Sequence, residues 1–166
     1  MKPQTITFFI FLLLSLFYST YSFTLISKDI SNNEKIPLKF TPFSDDINPS
    51  FEWSNAPQGT KSFAFTVEDP DCPTGLFYHW VLINIPKTVT KISQKSFPGK
   101  AVKSSWGIAK YKGPKPPSGT HHYHFIVYAL DVETLPIRSY EDFKSAIENH
   151  TLGKAEIVGL FTHVDK

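Results

Sequence analysis

The stretch "SFAFTVEDPDCPTGLFYHWVLINIP" (62–86) sets two strand-like runs on either side of a turn that carries two aspartates, and the second run opens through a histidine. In the first run Phe63, Phe65 and Val67 alternate with Ala64, Thr66 and Glu68, which is the period of a strand with one heavy face and one lighter face. The second run, "HWVLINI" (79–85), is almost wholly apolar, as a strand covered on both sides must be. Prolines after Asp69 and Cys72 stiffen the turn between them, and Gly75 lets it reverse. Asp69 and Asp71 stand two apart, so both can leave the first strand on one side, across from His79. A carboxylate that accepts the Nδ1 proton of an imidazole sets its tautomer and turns Nε2 outward. The competing reading is that both aspartates cap loop amides in Asx-turns.

A second constellation lies downstream, in "YKGPKPPSGTHHYHFIVYAL" (111–130). Pro114, Pro116 and Pro117 with Gly113 and Gly119 forbid regular structure before the β signal resumes at His121. Alternation places His121 and Tyr123 on one face of that strand, and His122 and His124 on the other. Two imidazoles, a phenol and open loop amides make a pocket of donors, which favours an anion such as phosphate, sulfate or carboxylate. A zwitterion with phosphate and ammonium would satisfy the donors and the aspartates together.

Elsewhere, "FTLISKDI" (23–30) reads as a first strand, and residues 32–59 as loop broken by short extended pieces. "SYEDFKSAIENHTLG" (139–153) is the one good helix pattern. Ser139 would cap it, with Asp142 in the capping-box position; Tyr140, Phe143 and Ile147 form its apolar stripe, and Gly153 would stop it. "AEIVGLFTHV" (155–164) closes the chain as a strand. Many short strands, rich turns and a late helix predict an all-β, antiparallel sandwich of two sheets with a C-terminal helix.

At the other end, Lys2 precedes the uncharged run "ITFFIFLLLSLF" (6–17), and Thr20 and Ser22 stand at the −3 and −1 positions of a cleavage site. This is the layout of a secretory signal peptide over residues 1–22, with a mature domain over 23–166 that is secreted or held in the lumen of the secretory pathway. Without Lys2 the 17 basic side chains become 16, against 15 acidic ones, which argues against a nucleic-acid partner or a strongly membrane-steered domain. One cysteine, Cys72, excludes an internal disulfide framework, so packing must stabilise the domain.

The segments "DPDCPTGLFYHW" and "YKGPKPPSGTHHYHFIVYAL" resemble the two signature regions of the phosphatidylethanolamine-binding protein family, also called Raf kinase inhibitor-like proteins. The likeness is nearest to the short bacterial and archaeal branch, and "NHTLGKAEIVGLF" (149–161) is similar to that branch's closing helix and strand. The resemblance implies a Greek-key type β-sandwich with one small anion pocket at one end. Asp69, Asp71, His79, Gly113, Pro114, Pro116, His121 and Tyr123 are the ligand-binding residues expected here. The ligand it implies is phosphate, a similar small anion or a phospholipid head group, with no cofactor. It also implies a cis peptide near the first motif, for which Cys72–Pro73 is the expected bond. The chain departs from the branch at "SSWG" (104–107), where Asn-Asp-(Phe/Tyr)-Gly is usual, and at His122, where arginine is usual.

Other chemistries weigh less. Two imidazoles and a carboxylate form a legitimate metal-ligand set, but the resemblance points to an anion, and no metal is expected. No serine or lysine inside either motif presents itself as an activated nucleophile, so an enzyme is not expected. Asn149 begins a glycosylation sequon, "NHT". Two further classes remain as alternatives: a protease inhibitor acting on a peptidase through a surface loop, and a weak hydrolase using the His/Asp pocket.

Overall fold

The computed structural model describes residues 22–164; the expected signal peptide lies outside them, apart from its last residue. The strands are β1 (Thr24–Ile26), β2 (Glu34–Lys35), β3 (Phe51–Ser54), β4 (Ser62–Asp69), β5 (Phe77–Pro86), β6 (Lys91–Ile92), β7 (Lys100–Ala101), β8 (Thr120–Leu130) and β9 (Thr151–Thr162). They form a three-stranded sheet ordered β1-β3-β6 and a six-stranded sheet ordered β2-β9-β8-β4-β5-β7. Every pairing is antiparallel except the edge pair of β2 and β9. No helix among the described residues is long and apolar enough to cross a membrane.

Between their bulges the four long strands follow the period of two. Phe63, Phe65 and Val67 of β4, Trp80 and Leu82 of β5, and Phe125 and Val127 of β8 face the small sheet, whose Phe51 and Trp53 close the main core. Ala64, Val81, Ile83, Ile126 and Tyr128 turn the other way, into a second core roofed by Leu135, Ile137, Phe143 and Ile147. The large sheet is thus buried on both faces, as the apolar run at 79–85 requires. The lighter face of β4 includes a buried polar group: Glu68 Oε1 accepts hydrogen bonds from Thr66 (2.6 Å) and Tyr128 (3.1 Å).

The predicted helix is shorter than its sequence pattern. A 3-10 turn over Tyr140–Asp142 leads into α1 (Phe143–Ile147), and the chain then enters β9 at Thr151. Ser139 Oγ donates to Glu141 Oε2 and accepts from no helix amide, so the expected cap does not form. Gly153 does not stop a helix; it sits within β9 opposite Ala129, where a Cβ would come 2.9 Å from Pro57 Cγ. The reason is competition: residues 151–154 complete the ladder to β8, and a ladder to a buried strand outweighs a marginal helix end. The apolar stripe holds, with Phe143 and Ile147 buried. Asn149 lies exposed in the turn between α1 and β9.

The expected cis bond at Cys72–Pro73 is also corrected: every peptide bond among the described residues is trans. The Gly75 N–H donates to the Cys72 carbonyl at 2.9 Å, which closes a four-residue turn with Pro73 in its second position. That position takes proline's fixed φ with an ordinary trans bond.

Candidate functional site

Both constellations meet at one end of the large sheet. Asp69 ends β4, His121 and Tyr123 lie near the start of β8, and all three follow the face that packs on the main core. His79 reaches the same face by a β-bulge. Val67 pairs with Trp80 while Glu68 pairs with Tyr78, so His79 is the extra residue of β5. A bulge re-aims side chains; without it, His79 and its neighbour Trp80 would point to opposite faces.

The Nδ1–H of His121 donates to Asp69 Oδ2 at 2.8 Å, and both side chains are buried. The Nδ1–H of His79 donates to the Lys112 carbonyl at 2.9 Å. The indole Nε1 of Trp106 lies 3.4 Å from the same Nδ1, but a nitrogen that is already donating cannot also accept, so that approach is packing. Each imidazole is therefore held through Nδ1, and among the described residues no hydrogen bond engages Nε2. Tyr123 stands between the two rings, edge-on to His79 (5.2 Å between centroids, 82°) and stacked near His121 (6.4 Å, 24°). Its side chain is fully buried, and its hydroxyl, near the Asp69 carboxylate and the Lys115 amide, makes no hydrogen bond of normal geometry with either; among the described residues the indole N–H groups of Trp53 and Trp80 are likewise buried and unpaired. A buried, unpaired hydroxyl costs roughly 1–3 kcal/mol, and such groups are rare enough to call for a reason.

Electrostatics give the donors different characters. Burial holds His79 below its ordinary pKa, with hydrogen bonding to Lys112 and the charge of Asp69 opposing only in part. Burial, reinforced by Asp69, pushes the Tyr123 phenol far up, so it remains an O–H donor. A neutral His79 presents a lone pair at Nε2 and must gain a proton there to donate to an anion. We therefore expect anion binding to take up a proton. With sulfate, whose charge is constant over the range, affinity should rise several-fold between pH 8 and pH 6, and a flat profile by calorimetry would contradict this. In the free protein the sign is opposite for stability. A depressed imidazole pKa means that the unfolded chain binds the proton first, so stability falls as pH drops below about 6.5.

The proline loop completes the wall. Gly113, Pro114 and Pro116 are buried; the Gly113 N–H donates to Asp46 Oδ1 at 2.8 Å, and the Pro116 carbonyl accepts from His163 Nδ1 at 2.8 Å. Gly113 is required for space rather than for φ, since a Cβ there would collide with the Phe40 carbonyl. Asp71 does not join the two core-facing imidazoles. Its Oδ2 accepts from both the N–H and the Nδ1–H of His122, each at 2.7 Å, on the exposed outer face. Its own N–H donates to Asp69 Oδ1 at 3.0 Å, so the Asx-turn reading of Asp69 and its imidazole reading are both realised, one on each oxygen. On that outer face His124 pairs with Glu156.

Two further residues, Trp106 and Asp46, help to build the site. Trp106 packs on His79 (5.7 Å) and Phe77 (5.1 Å), supported by Ser105, whose Oγ accepts the Tyr78 N–H at 3.0 Å. The unusual "SSWG" segment thus forms part of the rim. Asp46 lies far away in sequence, in a loop with no periodic signal, and nothing local links it to Gly113.

A family model, described as phosphatidylethanolamine-binding protein, matches residues 26–162. The chain belongs to the phosphatidylethanolamine-binding protein family. Among its relatives within and around that family, a UPF0098 protein of Methanothermobacter thermautotrophicus is 37% identical over 136 residues, covering 76% of this chain and 90% of the relative. The UPF0098 protein YbhB of Escherichia coli is 33% identical over 157 residues, covering 83% and 99%. The crystal structure of Escherichia coli YbcL, described as a new member of the mammalian family, matches with a TM-score of 0.81 at 30% identity, covering 86% of this chain and 99% of that one. The family's fold is therefore shared over most of the chain.

Proposed function

We propose that this family member is a binding protein, not an enzyme, whose pocket captures a small anion or phosphorylated head group on His79, His121 and Tyr123. The observation that carries this reading is the buried Tyr123 hydroxyl, unpaired between two imidazoles whose other nitrogens are already held. An anion oxygen supplies the missing acceptor, and loss of water from the pocket strengthens each donor bond. Asp69 orients His121, and the Lys112 carbonyl orients His79. The leader-like segment and the sequon at Asn149 support secretion and glycosylation as part of the same proposal, in which the protein modulates a partner enzyme.

Calorimetry with inorganic phosphate tests the pocket. Tyr123→Phe removes only the unpaired hydroxyl, so it should fold with unchanged or raised stability and bind phosphate about tenfold more weakly. His79→Ala should weaken binding further. Equal affinity in the wild type and both variants refutes the reading.

A further inference from the structure

The pocket's charges bear on which phosphorylated ligand it accepts, an inference that rests on the anion-binding reading above. Three carboxylates lie near the imidazoles, each hydrogen-bonded within the fold and each still carrying its charge. Asp69 uses one oxygen on His121 and the other on the Asp71 amide. Asp71 is turned to His122 on the outer face, and Asp46 holds the Gly113 amide. Cations, by contrast, stand at the mouth: Lys112 Nζ lies 4.7 Å from the centroid of the Trp106 ring, which packs against His79. Trp106 also walls an adjoining groove of about 410 Å³ with Phe43, Lys115, Pro116, Pro117, His163 and Val164; the His163 Nδ1 is held by the Pro116 carbonyl. That groove is largely apolar, and Lys115, which is exposed, adds a second positive charge to it. A ligand phosphate on the imidazoles would thus direct its ester substituent toward an apolar wall flanked by ammonium groups.

We propose that the site selects phosphate monoesters with an apolar, uncharged substituent, and discriminates against those carrying an ammonium group. Trp106, Lys112 and Lys115 are the residues that set this preference. The substituent lies in the groove, whose lining includes Lys115 and no carboxylate, so an ammonium there meets two like charges at close range.

Ethyl phosphate and phosphoethanolamine are nearly the same size and differ by the ammonium, so their comparison isolates the charge. By calorimetry at pH 7, ethyl phosphate should bind about fivefold more tightly, the scale of one or two exposed charge contacts. The gap should narrow in Lys112→Gln and in Lys115→Gln. Hexyl phosphate should bind at least about tenfold more tightly than ethyl phosphate, as expected for partly buried methylenes. Trp106→Ala, checked for folding by its melting temperature, should lose most of that gain. Phosphoethanolamine binding as tightly as ethyl phosphate overturns the charge preference, and no gain with chain length overturns the groove's role. Inorganic phosphate separates the two levels: if neither it nor ethyl phosphate binds, the anion-binding reading itself fails. A dihexanoyl phosphatidate arm distinguishes the ligand's source, since tighter binding than hexyl phosphate points to a lipid head group and weaker binding to a soluble ester.

Discussion

Gly113→Ala should lower the melting temperature by roughly 10 °C, a loss of about 3 kcal/mol, and abolish most of the anion binding. The added Cβ would collide with the Phe40 carbonyl and stand 2.8 Å from Thr41 Cα. Both obstacles are backbone, which cannot swing aside as the tip of a side chain can. Relief requires the proline loop to move away. That motion would break the Gly113–Asp46 bond and displace the Lys112 carbonyl that orients His79. Stability and binding should therefore fall together, measured by scanning calorimetry and by titration with phosphate. An alanine variant with unchanged melting and affinity would show that the loop is not anchored where we place it.

Asp69→Ala should be the second severe change, destabilising by about 3 kcal/mol and weakening phosphate binding at least tenfold. It leaves a buried imidazole without its acceptor and frees the ring that should meet the ligand. The Asp71 amide also loses its partner. Asp71→Ala supplies the contrast within the same turn: its pair with His122 is exposed, so the cost should be well under about 1 kcal/mol, with binding nearly unchanged. If the two aspartate variants behave alike in melting and titration, the division between a buried orienting carboxylate and a surface pair is wrong.

The strands that carry the site were legible in the sequence because their patterns are regular. The alternation in 62–69 and the apolar run in 79–85 announce a sheet covered on both faces, and the rigid turns announce where functional groups gather. The helix was legible in kind but not in length. Its capping residues and stripe are local signals, whereas the capture of residues 151–154 by β8 is a long-range event that no local pattern registers. Asp71 shows the same limit on a smaller scale. Its spacing from Asp69 permits a role beside His79, but the partner it takes is the side chain that β8 happens to present on its outer face.

The order of residues by itself determined the sandwich, the two stiff loops and the four groups Asp69, His79, His121 and Tyr123, because each follows from periodicity, turn chemistry or a paired motif. Only the tertiary structure decided how those groups divide their work. One extra residue in β5 brings His79 onto the face of His121, the Lys112 carbonyl takes the Nδ1–H of His79 and Asp69 that of His121, and the Tyr123 hydroxyl is left without a hydrogen bond of normal geometry. The physical reason is that a hydrogen bond needs two groups within about 3 Å, and which distant groups come that close depends on register and bulges, which the packing of the whole sheet sets.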